Sequence, residues 1–196
     1  MGMELPETKW IIVGVAALLI VAAFVTGFFV AASQTSLEAT VVTSQSGEAP
    51  LPGDEIVLVG VGEESRLSES VAAGVERGLT EEGYTVTMDE EMADDYDSPV
   101  LLVEVTDETV DRGPTRHTAD VSVMSYYSTT GNTTGYEEFK ETRSTVHRED
   151  GAVVVGEYRL RDTTDGFVTS RGYTRRIADD IAEEVVSSFR GATEDG

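Results

Sequence analysis

Residues 10–32 read WIIVGVAALLIVAAFVTGFFVAA, 23 residues without a charge. At 1.5 Å per residue such a helix spans about 35 Å, enough for the roughly 30 Å hydrocarbon core of a bilayer. The run exceeds the apolar core of a cleaved signal peptide, about 7–15 residues, although Ala31-Ala32-Ser33 has the small residues of a cleavage site. The reading favoured is an uncleaved single-pass anchor. Lys9 precedes the run, and the next positive residue after it is Arg66, with Glu38, Glu48 and Asp54 between. The positive-inside bias then puts residues 1–9 in the cytoplasm and everything beyond the helix outside the cell membrane. Ala23 and Gly27 form a small-xxx-small pair that would let two anchors approach; oligomeric state stays open.

The chain has 196 residues, which suits an anchor and one domain. It carries 37 acidic residues against 14 basic ones, a formal net charge of −23. Nucleic acid is excluded as a general partner, because phosphates would be repelled; lying flat on an anionic membrane is disfavoured as well. Only Lys9 and Lys140 are lysines. Abundant carboxylates with almost no Lys fit a halophilic surface, where molar salt shrinks the Debye length to about 3 Å and screens self-repulsion. The alternative is an acidic disordered chain, against which the periodic apolar residues argue. With no Cys, disulfides, thiolate metal sites and Cys nucleophiles are impossible.

Residues 33–54 are rich in Ser, Thr, Pro and Gly and read as a stalk. The domain is expected over 55–191, with a tail at 192–196. Ile56–Val61 (IVLVGV) is a short apolar strand, followed by SRLSESVAAGVERGLTEEG with Leu67, Val71, Val75 and Leu79 on one helix face. Gly74 and Gly78 near that face suggest a close approach to the sheet, and Gly83 a C-terminal cap. Strands follow at 84–88, 100–105 and 117–127, with a turn at 107–115 and polar loops at 89–97 and 128–136. Phe139–Arg148 and Ala152–Arg161 flank Asp150-Gly151, a favoured hairpin centre. Tyr173, Ile177, Ile181, Val185 and Phe189 stripe a closing helix, 171–190, that Gly191 should end. The expected fold class is α+β: after the transmembrane helix, a mainly antiparallel sheet with two helices on one face, in the order β-α-β-β-β-β-β-α.

The search for chemistry is largely negative. The only imidazoles are His117 and His147; if their strands pair about Asn132 the two face each other and make half a metal site, against the commoner reading of surface histidines. Asp94, Asp95 and Asp97 have oxygen ligands for calcium but not the Asp-x-Asp-x-Asp-Gly pattern. Arg175-Asp179-Glu183 and Arg176-Asp180-Glu184 read as solvent-facing i, i+4 ion pairs. Gly60-Val61-Gly62 lacks the rest of a phosphate loop, and there is no Gly-x-Ser-x-Gly elbow. No catalytic residue, metal ligand or cofactor site is assigned. Asn132-Thr133-Thr134 is an N-glycosylation pattern at Asn132.

The segments IVLVGV, VERGLTEEGYTVT, MADDYDSPVLLVEV and YTRRIADDIAEEVVSSF resemble, in order and pattern, a small α/β module of envelope proteins over about 55–190. Examples are the lipopolysaccharide-assembly lipoprotein and the N-terminal domain of the Tol-system propeller protein. This chain departs from the lipoprotein in having no Cys to lipidate. The resemblance implies a non-catalytic interaction module with a protein or envelope-component partner, and transfers no functional residue. From a different class, a surface hydrolase using carboxylates and a bound cation is the alternative.

Overall fold

The structure, a computed structural model, describes residues 28–46, 54–142 and 151–194. Six strands form one sheet: β1 (Phe28–Ser46), β2 (Glu55–Val61), β3 (Thr85–Asp89), β4 (Val100–Arg112), β5 (Arg116–Ser128) and β6 (Gly151–Val168). Three helices accompany them: α1 (Arg66–Glu81), α2 (Thr134–Thr142) and α3 (Ser170–Glu194). The strand order is β1-β6-β5-β4-β2-β3. The pairs β1–β6, β6–β5 and β5–β4 are antiparallel, whereas β4–β2 and β2–β3 are parallel. The α+β class holds, in a mixed sheet.

β2 is apolar from Ile56 onward because it lies inside the sheet with cover on both faces. Its Ile56 and Leu58 face α1 and α3, while Val59 lies in the core beneath α2. α1 starts at a capping box in which the Ser65 side chain accepts from Ser68 N–H and the Ser68 side chain accepts from Ser65 N–H. Its Leu67, Val71, Val75 and Leu79 are buried as their spacing requires, and Gly83 takes a positive φ of 101° just past its end. Gly74 and Gly78 approach α3 rather than the sheet. A Cβ on Gly74 would stand 2.7 Å from the Ala182 Cβ, and one on Gly78 would stand 2.9 Å from a Val186 methyl. The two helices therefore meet at a distance only Gly permits on the α1 side. α3 buries Tyr173, Ile177, Ile181, Val185 and Phe189 and runs through Gly191 to Glu194, since one Gly costs a helix only about 1 kcal/mol.

Four expectations are corrected. Ser33–Ser46, read as stalk, belongs to β1, which pairs with β6 along its length. The strand begins at Phe28, so the last five residues of the expected membrane helix 10–32 belong to it; residues 10–27 lie outside the described ones. Residues 107–112 continue β4 past a bulge between Val105 and Asp107, leaving only Gly113–Thr115 as the turn. Finally, Phe139–Thr142 is helical and Arg143–Asp150 lies outside the described residues, so β6 pairs with β5 and β1 instead of a hairpin partner. Tyr136 and Phe139 of α2 bury against Met124, Tyr126, Val153 and Val155 on the face opposite α1 and α3. Helices thus cover both faces.

Candidate functional site

Along β6, Tyr158, Leu160, Asp162 and Thr164 alternate onto the face covered by α3. Asp162 is a charge on the buried phase of that alternation, and its side chain is fully enclosed. One carboxylate oxygen accepts from Thr35 Oγ1 at 2.6 Å and Ser33 Oγ at 3.2 Å, both on β1. The other accepts from Thr164 Oγ1 and Tyr173 OH, each at 2.8 Å, and from the Arg176 guanidinium at 2.7 Å. Burial by itself would raise the Asp162 pKa; the bonds from Arg176, Thr35, Tyr173 and Thr164 outweigh it and hold the carboxyl below its ordinary value. Burial and the hydrogen bond to Asp162 push the Tyr173 phenol up. Five donors meet about four lone-pair positions. The carboxylate has no capacity left for a metal or for a substrate proton, and its work is to fasten β1 and α3 to β6. Arg176, expected in a solvent-facing ladder, is directed inward at Asp162, with Asp180 at 3.6 Å as its outer partner. Arg175–Asp179 is the exposed pair the spacing predicts, at 3.8 Å.

His117 lies on the same face. Its ring sits 5.1 Å from that of Tyr173 at an interplanar angle of 32°, and both ring nitrogens are buried without a hydrogen-bond partner. Across the strands it meets Thr164 and Arg112. His147 lies outside the described residues.

A second buried carboxylate, Glu104, lies on the opposite face. It accepts from the Tyr136 hydroxyl and, at 2.8 Å, from Lys140 Nζ, both on α2. Gly62, at φ 98°, leaves it room: a Cβ there would meet the Glu104 Cγ at 3.1 Å. Beyond α2 no described element covers this face. Arg159 forks onto both oxygens of Asp120 at 2.9 and 2.8 Å, with Arg161 at 3.4 Å. The bond from Arg159 leads the effects that lower the Asp120 pKa. A groove of about 450 Å³ beside them is lined by Gln34, Ser36, Thr109, Thr118, Arg161 and Thr163.

The acidic loop is structural in the parts described. Asp95 accepts from Asn132 Nδ2 at 2.6 Å, the Asp94 backbone carbonyl accepts from Thr133, and Asn132 Oδ1 accepts from the Thr134 hydroxyl and N–H. Among the described residues no three of His, Asp and Glu are grouped as metal ligands. Neither Asp162 nor Glu104 was anticipated from sequence. The available signal was a charge falling on the buried phase of an alternating strand.

No protein-family model matches the chain, and no curated protein does. Similar solved structures include two of one protein. One is a PelC dodecamer from Paraburkholderia phytofirmans, at 16% identity over 77% of this chain and 96% of that one, with a TM-score of 0.42. The other is a variant of the same protein, at 17% identity and a TM-score of 0.41 over the same shares. At that level of likeness they carry no argument about this chain's role.

Proposed function

We propose that this chain is a single-pass membrane protein whose outer domain is a non-catalytic interaction module, taking an extended segment of a partner protein on the free edge of β1. The observation that carries the reading is β1 itself. It is 19 residues long, lies at the sheet edge and holds a single charge, Glu38, in a chain that is 26% charged. Natural edge strands are usually blunted by Lys, Pro or shortness; β1 has no Lys or Pro. An exposed edge of this kind hydrogen-bonds an added strand. The envelope-module resemblance points the same way. The anchor survives the assignment of Phe28 onward to β1, because residues 10–27 still supply 18 uncharged residues, about 27 Å of helix. The hydrolase alternative gains no support, since both buried carboxylates are occupied by internal donors.

The absence of Cys makes the test clean. Single Cys residues at Thr40 and Val41 on β1, and at Glu81 on α1, carry a photocrosslinker in native membranes. An adduct with one protein from the β1 positions, absent from Glu81, is expected; no β1 adduct, or equal adducts from all three, rejects the edge. A membrane-impermeant thiol reagent on intact cells should label all three. Protection of all three, with labelling after lysis, rejects the outside location.

A further inference from the structure

The end of the sheet where β1 begins has a composition unlike the rest of the molecule. Phe28 pairs with Val168 and Phe29 with Phe167. The Phe167 side chain is 66% exposed, the most of any large apolar residue described. The β4–β5 turn lies at the same end: Arg116 pairs with Asp165, and the Thr115 carbonyl accepts from Gly166 N–H. α3 also starts there, and Arg112 Nη2 reaches Thr174 Oγ1 at 3.2 Å. The tip thus gathers Arg112, Arg116, Arg171 and Arg175, all exposed, against Asp111, Asp165 and the Asp179 that pairs with Arg175. In a chain with 14 basic and 37 acidic residues, this is a local reversal of sign. The ion pairs that engage Arg116 and Arg175 are long, 3.8 Å each, and open to water. Such pairs hold their arginines weakly.

We infer that this tip is a membrane-contact surface: its arginines take the phosphates of anionic lipid headgroups and Phe167 seats in the interfacial layer. The inference rests on the anchored reading above. The apolar run continues without a spacer into the first five residues of β1, 28–32, so chain continuity brings the tip to the bilayer. Adjacent strands are about 4.8 Å apart, so Phe167 stands beside the residue that leaves the membrane. Guanidinium groups pair with phosphate bidentately, and aromatic side chains favour the headgroup level. The overall charge opposes approach only within a Debye length, and the acidic loop at 89–97 is set back from the tip, since β3 ends level with Leu102 rather than Arg112.

The full chain, with its one Trp changed (Trp10→Phe), receives a reporter by Phe167→Trp or, at the exposed Met88 on β3, by Met88→Trp. Each is reconstituted in vesicles of phosphatidylcholine alone or mixed with phosphatidylglycerol, containing brominated lipid. Strong quenching at 167, stronger with phosphatidylglycerol, and none at 88 is expected. Arg112→Glu with Arg116→Glu and Arg171→Glu should remove most of the phosphatidylglycerol-dependent part, with circular dichroism unchanged. If those substitutions unfold the domain, inorganic phosphate in excess replaces them, and should leave quenching intact if lipid is the ligand. No quenching at 167 in a protein that resists carbonate extraction overturns the contact. Quenching that is equal in both lipids overturns headgroup recognition. Release by carbonate overturns the anchor instead.

Discussion

Among the described residues two carboxylates are buried, one on each face of the sheet, and they are held differently. Asp162 is enclosed by five donors drawn from β1, β6 and α3, with Arg176 itself largely buried at 21% side-chain exposure. Glu104 has two donors, both from the short helix α2, and its charged partner Lys140 is 41% exposed. Asp162 thus joins elements distant in sequence into one closed network. Glu104 pins one local helix through a partner that water already reaches. The lesson is that a buried charge matters according to what its partner does when it is removed. Arg176 is the more enclosed of the two, with Asp180 as its outer partner; Lys140 already lies partly in water.

The largest effect should come from Asp162→Ala. It leaves the largely buried Arg176 with only the longer pair to Asp180 at 3.6 Å, and removing one member of a buried pair commonly costs about 3–5 kcal/mol. Denaturant unfolding in high salt, where the acidic domain is screened, measures it. A loss no greater than that of a surface variant would show that the network is not closed. The same site gives a pH signature. Its folded pKa is depressed, so the stability it contributes is complete above the unfolded value of about 4 and is lost as pH falls through the folded one. Asp180 works in the opposite sense, because burial raises its pKa despite Arg176. Asp162 is one of the charges that raise Asp180, so the difference between wild type and Asp162→Asn carries the first effect and a smaller opposing one; it should shrink as pH falls below about 4.

Glu104→Ala should cost less, about 1–3 kcal/mol, because the Tyr136 hydroxyl loses its acceptor while Lys140 turns to water. An equal or larger loss than Asp162→Ala would reverse the comparison. Asp120→Ala, on the bare face, should be close to neutral, since its Arg159 and Arg161 partners are half exposed. A marked loss there would mean that the bare face is covered in solution.

Both long helices were legible because their apolar residues recur every four positions on a polar background. β1 was not, for a physical reason: its inward residues include Ser33 and Thr35, which are polar because they face the Asp162 carboxylate. A strand whose exposed Ser and Thr turn their hydroxyls toward a buried charge has the composition of a stalk. The outer half of β4 read as a turn because Asp107, Thr109 and Asp111 line a bare sheet face, where nothing demands apolar residues. α2 carries its burial on Tyr136 and Phe139, too few for a helical period to stand out. The candidate interaction surface inherits the same difficulty, since an open edge is a property of backbone and position rather than of side-chain type.

The central claim is that β1 is a constitutive strand with one paired and one open edge. Residue-resolved hydrogen exchange of the full chain, read across Ser33–Val41, tests it most directly. Every second amide should be protected by β6 while those between exchange freely, and a bound partner should protect the second set. Uniformly fast exchange would return the segment to a stalk, and uniform protection without a partner would close the edge; either result contradicts the account.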